Sequence, residues 1–292
     1  MTAAAFSHFF MVFRNPRCYT TILCLTEQAE ERSHPAVRSG EERERGMTVY
    51  KVDGRIRYSE VGQDGLLTIP ALIDYFQDCS TFQSEDLEIG VARLKRDHMA
   101  WLVNYWQVDI LRMPALGDRI RTGTLPYSLK GFMGLRNFFM ETEAGEMLVR
   151  ANSVWSLIDM RRMAPVRIPQ EILDKYILGE PLEMEYLPRK IRVPAEGTVP
   201  GRAHTPEIVR EYHLDTNHHV NNCQYIRIAM GVLPEESRIR RFRIMYQRQA
   251  RLGDRITPVS YEIEKDTFLV ALNAEDGSPY AVVEFSCPGG IS

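Results

Sequence analysis

Hydrophobic and polar positions follow two patterns along the chain, and these patterns occur in the same order twice. Apolar residues alternate loosely at 49–58, recur at helical spacing at 66–82, and then fill four segments rich in Trp, Val, Tyr and Phe between 99 and 159. The second half repeats this order with a strand at 203–214, an apolar helix at 225–230, and strands at 239–250, 255–265, 267–274 and 279–287. Each half is therefore predicted to contain a strand, a helix and an antiparallel meander.

A repeated pentapeptide supports this duplication. The sequence Leu-Gly-Asp-Arg-Ile occurs at 116–120 and again at 252–256, each time after a basic, apolar strand. Aligning Gly65 with His218 leaves the first copy with additional residues, near 85–98, between its helix and its sheet. A strand, a central helix and a curved sheet form a hot-dog unit. The predicted fold is therefore α+β, a tandem double hot-dog in which each unit is a long helix wrapped by a curved antiparallel β-sheet.

The same patterns divide the chain into four parts. We predict an N-terminal hot-dog at 47–165, a linker at 166–202 with a short helix at 169–178, and a C-terminal hot-dog at 203–292. The first 46 residues contain six Arg, six Glu and no Lys, and they lack a clean signal or transit pattern. We expect residues 1–46 to be a disordered or mis-annotated extension, with Met47 as the true start.

Composition and charge narrow the classes of function. The net charge of -3 and the pI near 6.2 give no indication of nucleic-acid binding. No apolar run is long enough to predict a membrane span. The five cysteines are scattered without a CxxC pair, which is typical of a reducing compartment and argues against a disulfide framework or a zinc ribbon. We therefore expect a cytoplasmic protein.

The stretch 213–225 concentrates polar side chains immediately before the second helix. If this stretch is extended, Asp215, Asn217 and His219 share one face, whereas His218 points to the other. This alternation argues against a metal site, because it separates His218 from the remaining potential ligands. The pattern therefore favours an active site on the face of His219, with neither a metal nor a cofactor.

Further motifs occur in order along both halves. They include Arg136-Asn-Phe138, the segment 151–159 followed by Arg161-Arg162, and both Gly-Asp pairs. Together with Asp215-Thr-Asn217-His-His219-Val-Asn-Asn222 and Tyr225, they resemble the acyl-acyl-carrier-protein thioesterase family, of bacterial type and similar to the plant fatty acyl-ACP thioesterases. The resemblance covers residues 50–287.

This resemblance implies an acyl-[acyl-carrier-protein] hydrolase of fatty acid biosynthesis, whose partner is acyl carrier protein with its acyl chain. The family assigns catalytic roles to the residues matching Asp215, Asn217 and His219. Hydrolysis also needs a proton acceptor and donors for the oxyanion. The near-neutral pKa of an imidazole makes His219 the candidate base. The backbone N–H groups of Val220, Asn221 and Asn222, at the helix start, are the candidate oxyanion donors.

One position departs from the family pattern. The family commonly has Glu where this chain has Gln249, in Tyr246-Gln-Arg-Gln249-Ala250. Gln249 can hold a water molecule but cannot take its proton, and Ala250 cannot act as a nucleophile, so a cysteine-histidine mechanism at this position is excluded. Three alternatives remain open: an acyl-CoA thioesterase of the hot-dog superfamily, a dehydratase of this superfamily, and a non-catalytic acyl or carrier-protein binder.

The first copy lacks the candidate catalytic groups. It has Leu66 at the position of His219 and Gly62 at that of Asp215, so we predict that it is catalytically silent. Its apolar helix, with Ile69, Leu72, Ile73 and Phe76, and its strands are expected to wall the chamber for the acyl chain.

The arginines between 238 and 255 allow two interpretations: a solvated strand face, or a docking surface for the carrier protein that includes Arg238, Arg240 and Arg241. A tandem chain already supplies the pair of units that single hot-dogs assemble by dimerising. A monomer and a homodimer are both compatible with the sequence.

Overall fold

The computed structural model describes residues 49–235 and 237–288, so the extension predicted at 1–46 lies outside the described residues. The helices are α1 (Ile69–Asp86), α2 (Val91–Arg96), α3 (Gln170–Leu173) and α4 (Asn222–Met230). The strands are β1 (Tyr50–Arg55), β2 (Met99–Ile110), β3 (Arg119–Lys130), β4 (Met133–Thr142), β5 (Met147–Asp159), β6 (Ala164–Pro165), β7 (Arg202–Ala203), β8 (Glu207–Ile208), β9 (Arg241–Tyr246), β10 (Arg255–Glu264), β11 (Thr267–Asn273) and β12 (Pro279–Ser286).

These strands form one 12-stranded sheet with the order β1-β3-β4-β5-β2-β9-β12-β11-β10-β7, to which β6 and β8 are joined at β5 and β10. Strands β2 and β9 meet at its centre, where Tyr105 pairs with Met245 and Asp109 with Arg241. The two halves of the chain therefore share a continuous antiparallel sheet. Helices α1 and α4 pack beside each other on one face of this sheet, the inner face. The predicted tandem hot-dog fold is confirmed.

Helix α1 is held on the inner face by its apolar side. The Thr68 hydroxyl caps its start by accepting from the Ala71 N–H, and Pro70 fits the first turn, where a backbone donor is not needed. Phe76 is completely buried and packs against Trp106 and Phe138, with ring centroids 6.1 and 5.4 Å away. This aromatic cluster fixes the first helix against β2 and β4.

The two helices differ in length, with 18 residues in α1 and 9 in α4. The additional residues of the first copy, predicted as a single insertion near 85–98, therefore also lengthen α1 before they form α2. The second unit contains a short central helix rather than the long one that was predicted.

The hydrogen bonds at the start of the two helices repeat one another. A bridge between Val61 and Leu67 corresponds to one between Leu214 and Val220. Both turns need a residue with positive φ, which is Gly65 (φ 74°) in the first copy and His218 (φ 60°) in the second. The alignment of Gly65 with His218 is therefore confirmed by the backbone.

The strand predicted at 203–214 is wrong for most of its length. Only Arg202–Ala203 and Glu207–Ile208 pair with β10. Pro206 separates them, because proline has no N–H to contribute to a strand ladder. The segment then turns through a 3₁₀ helix, Glu211–His213. His213 is buried there, and its Nδ1 accepts from the Arg210 N–H at 3.1 Å.

The proline-rich segment 177–200 crosses the outer face of the sheet. Buried amide side chains on that face bind its backbone: Gln107 Nε2 donates to Glu185 O at 2.6 Å, and Asn137 Oδ1 accepts from Leu182 N at 3.0 Å. Arg243, on a strand of the second unit, donates to Pro188 O at 2.7 Å. The segment is therefore tied to both units. No helix within the described ranges is long and apolar enough to cross a membrane.

Candidate active site

The candidate residues lie on a tight turn between the 3₁₀ helix and α4. The Asp215 carboxylate forms this turn, since its Oδ1 accepts from the backbone N–H groups of Asn217 at 2.8 Å and His219 at 3.1 Å. The Asp215 N–H also donates to His219 O at 2.8 Å. The segment is therefore not extended, and the predicted alternation of faces was the wrong reason for grouping these side chains.

The turn nevertheless brings the predicted residues together around one cavity of about 90 Å³. Its wall in the second unit consists of Asp215, Asn217, His219, Val220, Asn222, Tyr225, Tyr246, Arg248 and Gln249. Its wall in the first unit consists of Ala100, Trp101, Leu102, Val103, Met160 and Met163. His218 and Asn221 do not line it.

Gln249 reaches the cavity because the end of β9 is docked on the start of α4. The Val220 N–H donates to Ala250 O at 3.0 Å, and the Ala250 N–H donates to the Tyr225 hydroxyl oxygen at 2.8 Å. Tyr225 therefore fixes the segment that carries Gln249. Tyr246 donates to Asn222 O at 3.1 Å and closes the same junction.

Two of the three predicted oxyanion donors are already used by the fold. The N–H of Val220 bonds to Ala250 O, and that of Asn221 bonds to His213 O at 2.8 Å. Asn221 instead caps α4, because its Oδ1 accepts from the Cys223 N–H at 3.1 Å. Val220 and Asn221 are therefore corrected from oxyanion donors to structural residues.

Asn222 keeps a place at the cavity. Its N–H is at the first position of α4 and has no acceptor within the described part of the chain. Its side-chain Nδ2 donates to Gln77 Oε1 at 2.9 Å. Gln77 belongs to α1, so the first unit orients a residue of the second.

Burial sets the protonation state of His219. Only 7% of its surface is exposed. This burial lowers its pKa from the ordinary value of 6.5, and the nearby Asp215 carboxylate opposes the shift only in part. The imidazole is therefore neutral near pH 7 and can accept a proton.

The described cysteines, Cys79, Cys223 and Cys287, are buried thiols. Burial raises the pKa of Cys223, in the first turn of α4, to about 12, and that of Cys79 to about 12. The pKa of Cys287 is raised to about 11 by the same cause. Such thiols stay protonated near neutral pH and do not provide a thiolate nucleophile.

Within 49–235 and 237–288, no three His, Cys, Asp or Glu side chains are grouped to hold a metal ion.

The sequence predicted that strands of the first unit help to wall the chamber, but it did not identify the residues of this wall. Trp101 lies at the start of β2, and Met160 and Met163 flank the turn between β5 and β6. The available signal was the duplication itself, since paired units place the helix start of one beside the strands of the other. Ile69, Leu72, Ile73 and Phe76, expected to wall a chamber, instead pack in the closed core and do not line this cavity.

Comparison with known proteins decides the family. The model of the acyl-ACP thioesterase N-terminal domain matches residues 47–176, and that of the C-terminal domain matches residues 203–282. Together they cover well over half of the chain. The chain belongs to the acyl-ACP thioesterase family. The resemblance inferred from the motifs is confirmed.

One relative of this acyl-ACP thioesterase is a chloroplastic acyl-[acyl-carrier-protein] hydrolase of Cuphea viscosissima. It is 30% identical over 194 residues, which are 62% of this chain and 46% of the relative. Oleoyl-acyl carrier protein thioesterase 1 of Arabidopsis thaliana is 24% identical over 220 residues, 68% of this chain and 59% of that protein. The chain thus spans about half the length of the curated relatives it matches.

Solved structures of the family share the fold of this chain. An acyl-ACP thioesterase from Bacteroides thetaiotaomicron superposes with a TM-score of 0.74 at 22% identity, covering 82% of this chain and 97% of the other. The 12:0-ACP thioesterase from Umbellularia californica gives a TM-score of 0.71 at 20% identity, covering 82% and 96%.

Proposed function

We propose that the protein hydrolyses fatty acyl-acyl-carrier-protein to free fatty acid and acyl carrier protein. The observation that carries this proposal is that Asp215, Asn217, His219 and Gln249 line one cavity at the start of α4. The names of the chloroplastic relatives, which act on acyl carrier protein thioesters, support the same substrate class. The cysteines within the described residues are buried free thiols, which suit a reducing cytoplasm.

In the proposed reaction, neutral His219 takes a proton from a water molecule that attacks the thioester carbonyl. Gln249 holds this water through its side-chain amide. The oxyanion is stabilised by the backbone N–H of Asn222, at the positive end of α4, and by the side-chain amide of Asn217. The carbon–sulfur bond then breaks, and the proton on His219 passes to the leaving sulfur. Asp215 keeps the turn, and with it the imidazole, in position.

We further propose that the two units have different roles. The first unit, 47–165, is catalytically silent, because Leu66 stands in place of His219, and its cavity wall receives the start of the acyl chain. A cavity of about 90 Å³ holds the reacting group and water but not a fatty acyl chain. Met160 and Met163 are flexible enough to move aside for it. The linker at 166–202 joins this unit to the catalytic one, 203–292.

The test is thiol release from acyl-carrier and acyl-CoA substrates with acyl chains of graded length. We expect kcat/KM to be at least about tenfold higher for the carrier substrates, because binding energy from a second protein is added. Higher values for CoA would favour the acyl-CoA thioesterase. Hydration of an enoyl thioester without thiol release would indicate a dehydratase, and binding without turnover would indicate a non-catalytic binder.

Gln249→Glu is expected to raise kcat at neutral pH by about tenfold or more, since a carboxylate in this position adds a proton acceptor next to the water, and general bases contribute about 10²–10⁴ in rate. The measurement is single-turnover hydrolysis of an acyl-carrier substrate. Gln247→Glu is the matched control, because Gln247 undergoes the same chemical change but does not line the cavity. A loss of activity in Gln249→Glu alone would show instead that the reaction needs the amide as a hydrogen-bond donor.

A further inference from the structure

The arginines of the second unit, predicted as one cluster, fall into separate environments. Arg241 pairs with Asp109 at 2.6 Å and Glu185 at 2.8 Å, and Arg243 pairs with Glu284 at 2.6 Å. These cations are already balanced by carboxylates of the sheet and of the segment 177–200. They stabilise the joined units and leave little charge for a partner.

The N-terminal end of β9, which begins at Arg241, is also far from the cavity. Tyr246 lines the cavity, and Arg241 begins the strand at its other end. At about 3.3 Å per residue, this distance is roughly 17 Å. The docking surface predicted from sequence, with Arg238, Arg240 and Arg241, therefore lies away from the mouth of the cavity.

A different pair of arginines lies beside the cavity. Arg161 and Arg162 occupy the turn between β5 and β6, directly between Met160 and Met163, which both line the cavity. Both arginines are exposed. The Asp159 carboxylate fixes their backbone by accepting from their N–H groups at 2.8 and 3.1 Å. The turn therefore holds two cations at a defined place on the rim.

These two cations remain open to a partner. The Arg162 side chain is 84% exposed, and its nearest carboxylate oxygen, on Asp159, is 3.9 Å away. An exposed pair at this distance is worth little in water, so the charge stays available.

We propose that Arg161 and Arg162 form the docking surface for the acidic face of the acyl carrier protein. This proposal rests on the proposed function and specifies where its partner binds. Docking on the turn that carries Met160 and Met163 places the thioester arm at the mouth of the cavity. Exposed charges of one sign steer an oppositely charged protein and make its association sensitive to salt.

The experiment compares Arg161→Glu/Arg162→Glu with Arg238→Glu/Arg240→Glu, which changes the net charge equally at the far end of the sheet. Each variant is assayed with acyl-carrier protein and with the small N-acetylcysteamine thioester of the same acyl chain. At low ionic strength we expect the first variant to raise KM for the carrier substrate about tenfold. The effect should shrink near 0.5 M salt, where the Debye length is only about 4 Å. The small thioester should react within about twofold of wild type in both variants.

Direct binding separates this proposal from the proposed function. Fluorescence anisotropy of labelled carrier protein gives Kd without any turnover. Weaker binding in the Arg161/Arg162 variant alone supports the docking surface, even if the wild type hydrolyses no thioester, in which case only the proposed function fails. Equal weakening in both double variants, or unchanged Kd in the Arg161/Arg162 variant, overturns the docking surface. An equal loss on both substrates also overturns it, since the turn would then act on the cavity.

Discussion

His219→Ala is expected to lower kcat for thioester hydrolysis by about 10³-fold, within the range that general acid–base catalysis contributes. KM should change by less than about threefold, because the imidazole acts mainly on the water rather than on the bound acyl group. The substitution removes the neutral, buried base while leaving the turn intact, since Asp215 holds that turn through backbone N–H groups. Thiol release under single-turnover conditions measures the effect.

The neighbouring histidine offers a matched control. His218→Gly should retain wild-type kcat within about twofold, because His218 does not line the cavity and its φ of 60° suits glycine, which occupies the corresponding position as Gly65. The pH profile adds an independent readout. Burial disfavours the imidazolium, so the pKa of His219 lies below 6.5, and wild-type kcat should decline only as the pH falls below that lowered pKa.

The residual activity of His219→Ala shows which group acts as the base. If His219→Ala keeps more than about a tenth of wild-type kcat, the proton goes to another group, and Asp215 is the nearest carboxylate on the cavity wall. If kcat of His219→Ala still declined at low pH as in the wild type, the conclusion would be the same, because an alanine side chain does not titrate.

The duplication was the part of the fold that sequence predicted in most detail. The repeated pentapeptide positions Asp118 and Asp254 identically: the N–H of Ile56 donates to Asp118 O and that of Val209 to Asp254 O, each at 2.9 Å. Because such a motif closes the same turn in both copies, aligning the copies also aligned the helix starts. That alignment located His219 and its silent counterpart Leu66 correctly.

The candidate site was found for a reason that was partly mistaken. Alternation in an extended strand was assumed, but the Asp215 side chain competes for backbone N–H groups and bends the chain. Polar side chains near a helix start can either cap backbone groups or face a ligand, and composition does not distinguish these uses. Asn221 caps a backbone N–H of α4, whereas Asn222 lies at the cavity, although they are neighbours in the same motif.

Contacts between distant segments account for the rest of what sequence did not predict. Gln107 and Asn137 are buried polar residues in β2 and β4, and their hydrogen bonds are explained only by the segment 177–200, which crosses the outer face. The first-unit wall with Met160 and Met163 depends likewise on the pairing of β2 with β9. A single unit, taken alone, contains no signal for either contact.

Phe76→Ala is expected to have the largest cost in stability, lowering the free energy of unfolding by about 3–5 kcal/mol. Phe76 is completely buried between Trp106 and Phe138, so its removal leaves a cavity that two rigid rings cannot fill. The change is measured as a shift in the denaturant midpoint by circular dichroism. Phe82→Ala, on the same helix but at a position that is 47% exposed, should shift the free energy by less than about 0.5 kcal/mol.

The same variant tests whether α1 supports the active site. Gln77 follows Phe76 in the chain and accepts the hydrogen bond from Asn222 Nδ2, so a displaced α1 would also release the side chain at the start of α4. We therefore expect Phe76→Ala to lower kcat as well, by about tenfold, well below its denaturation midpoint, whereas Phe82→Ala should not. A destabilised variant with full kcat would show that α1 fixes the fold without orienting Asn222, and a variant of wild-type stability would contradict the packing argument itself.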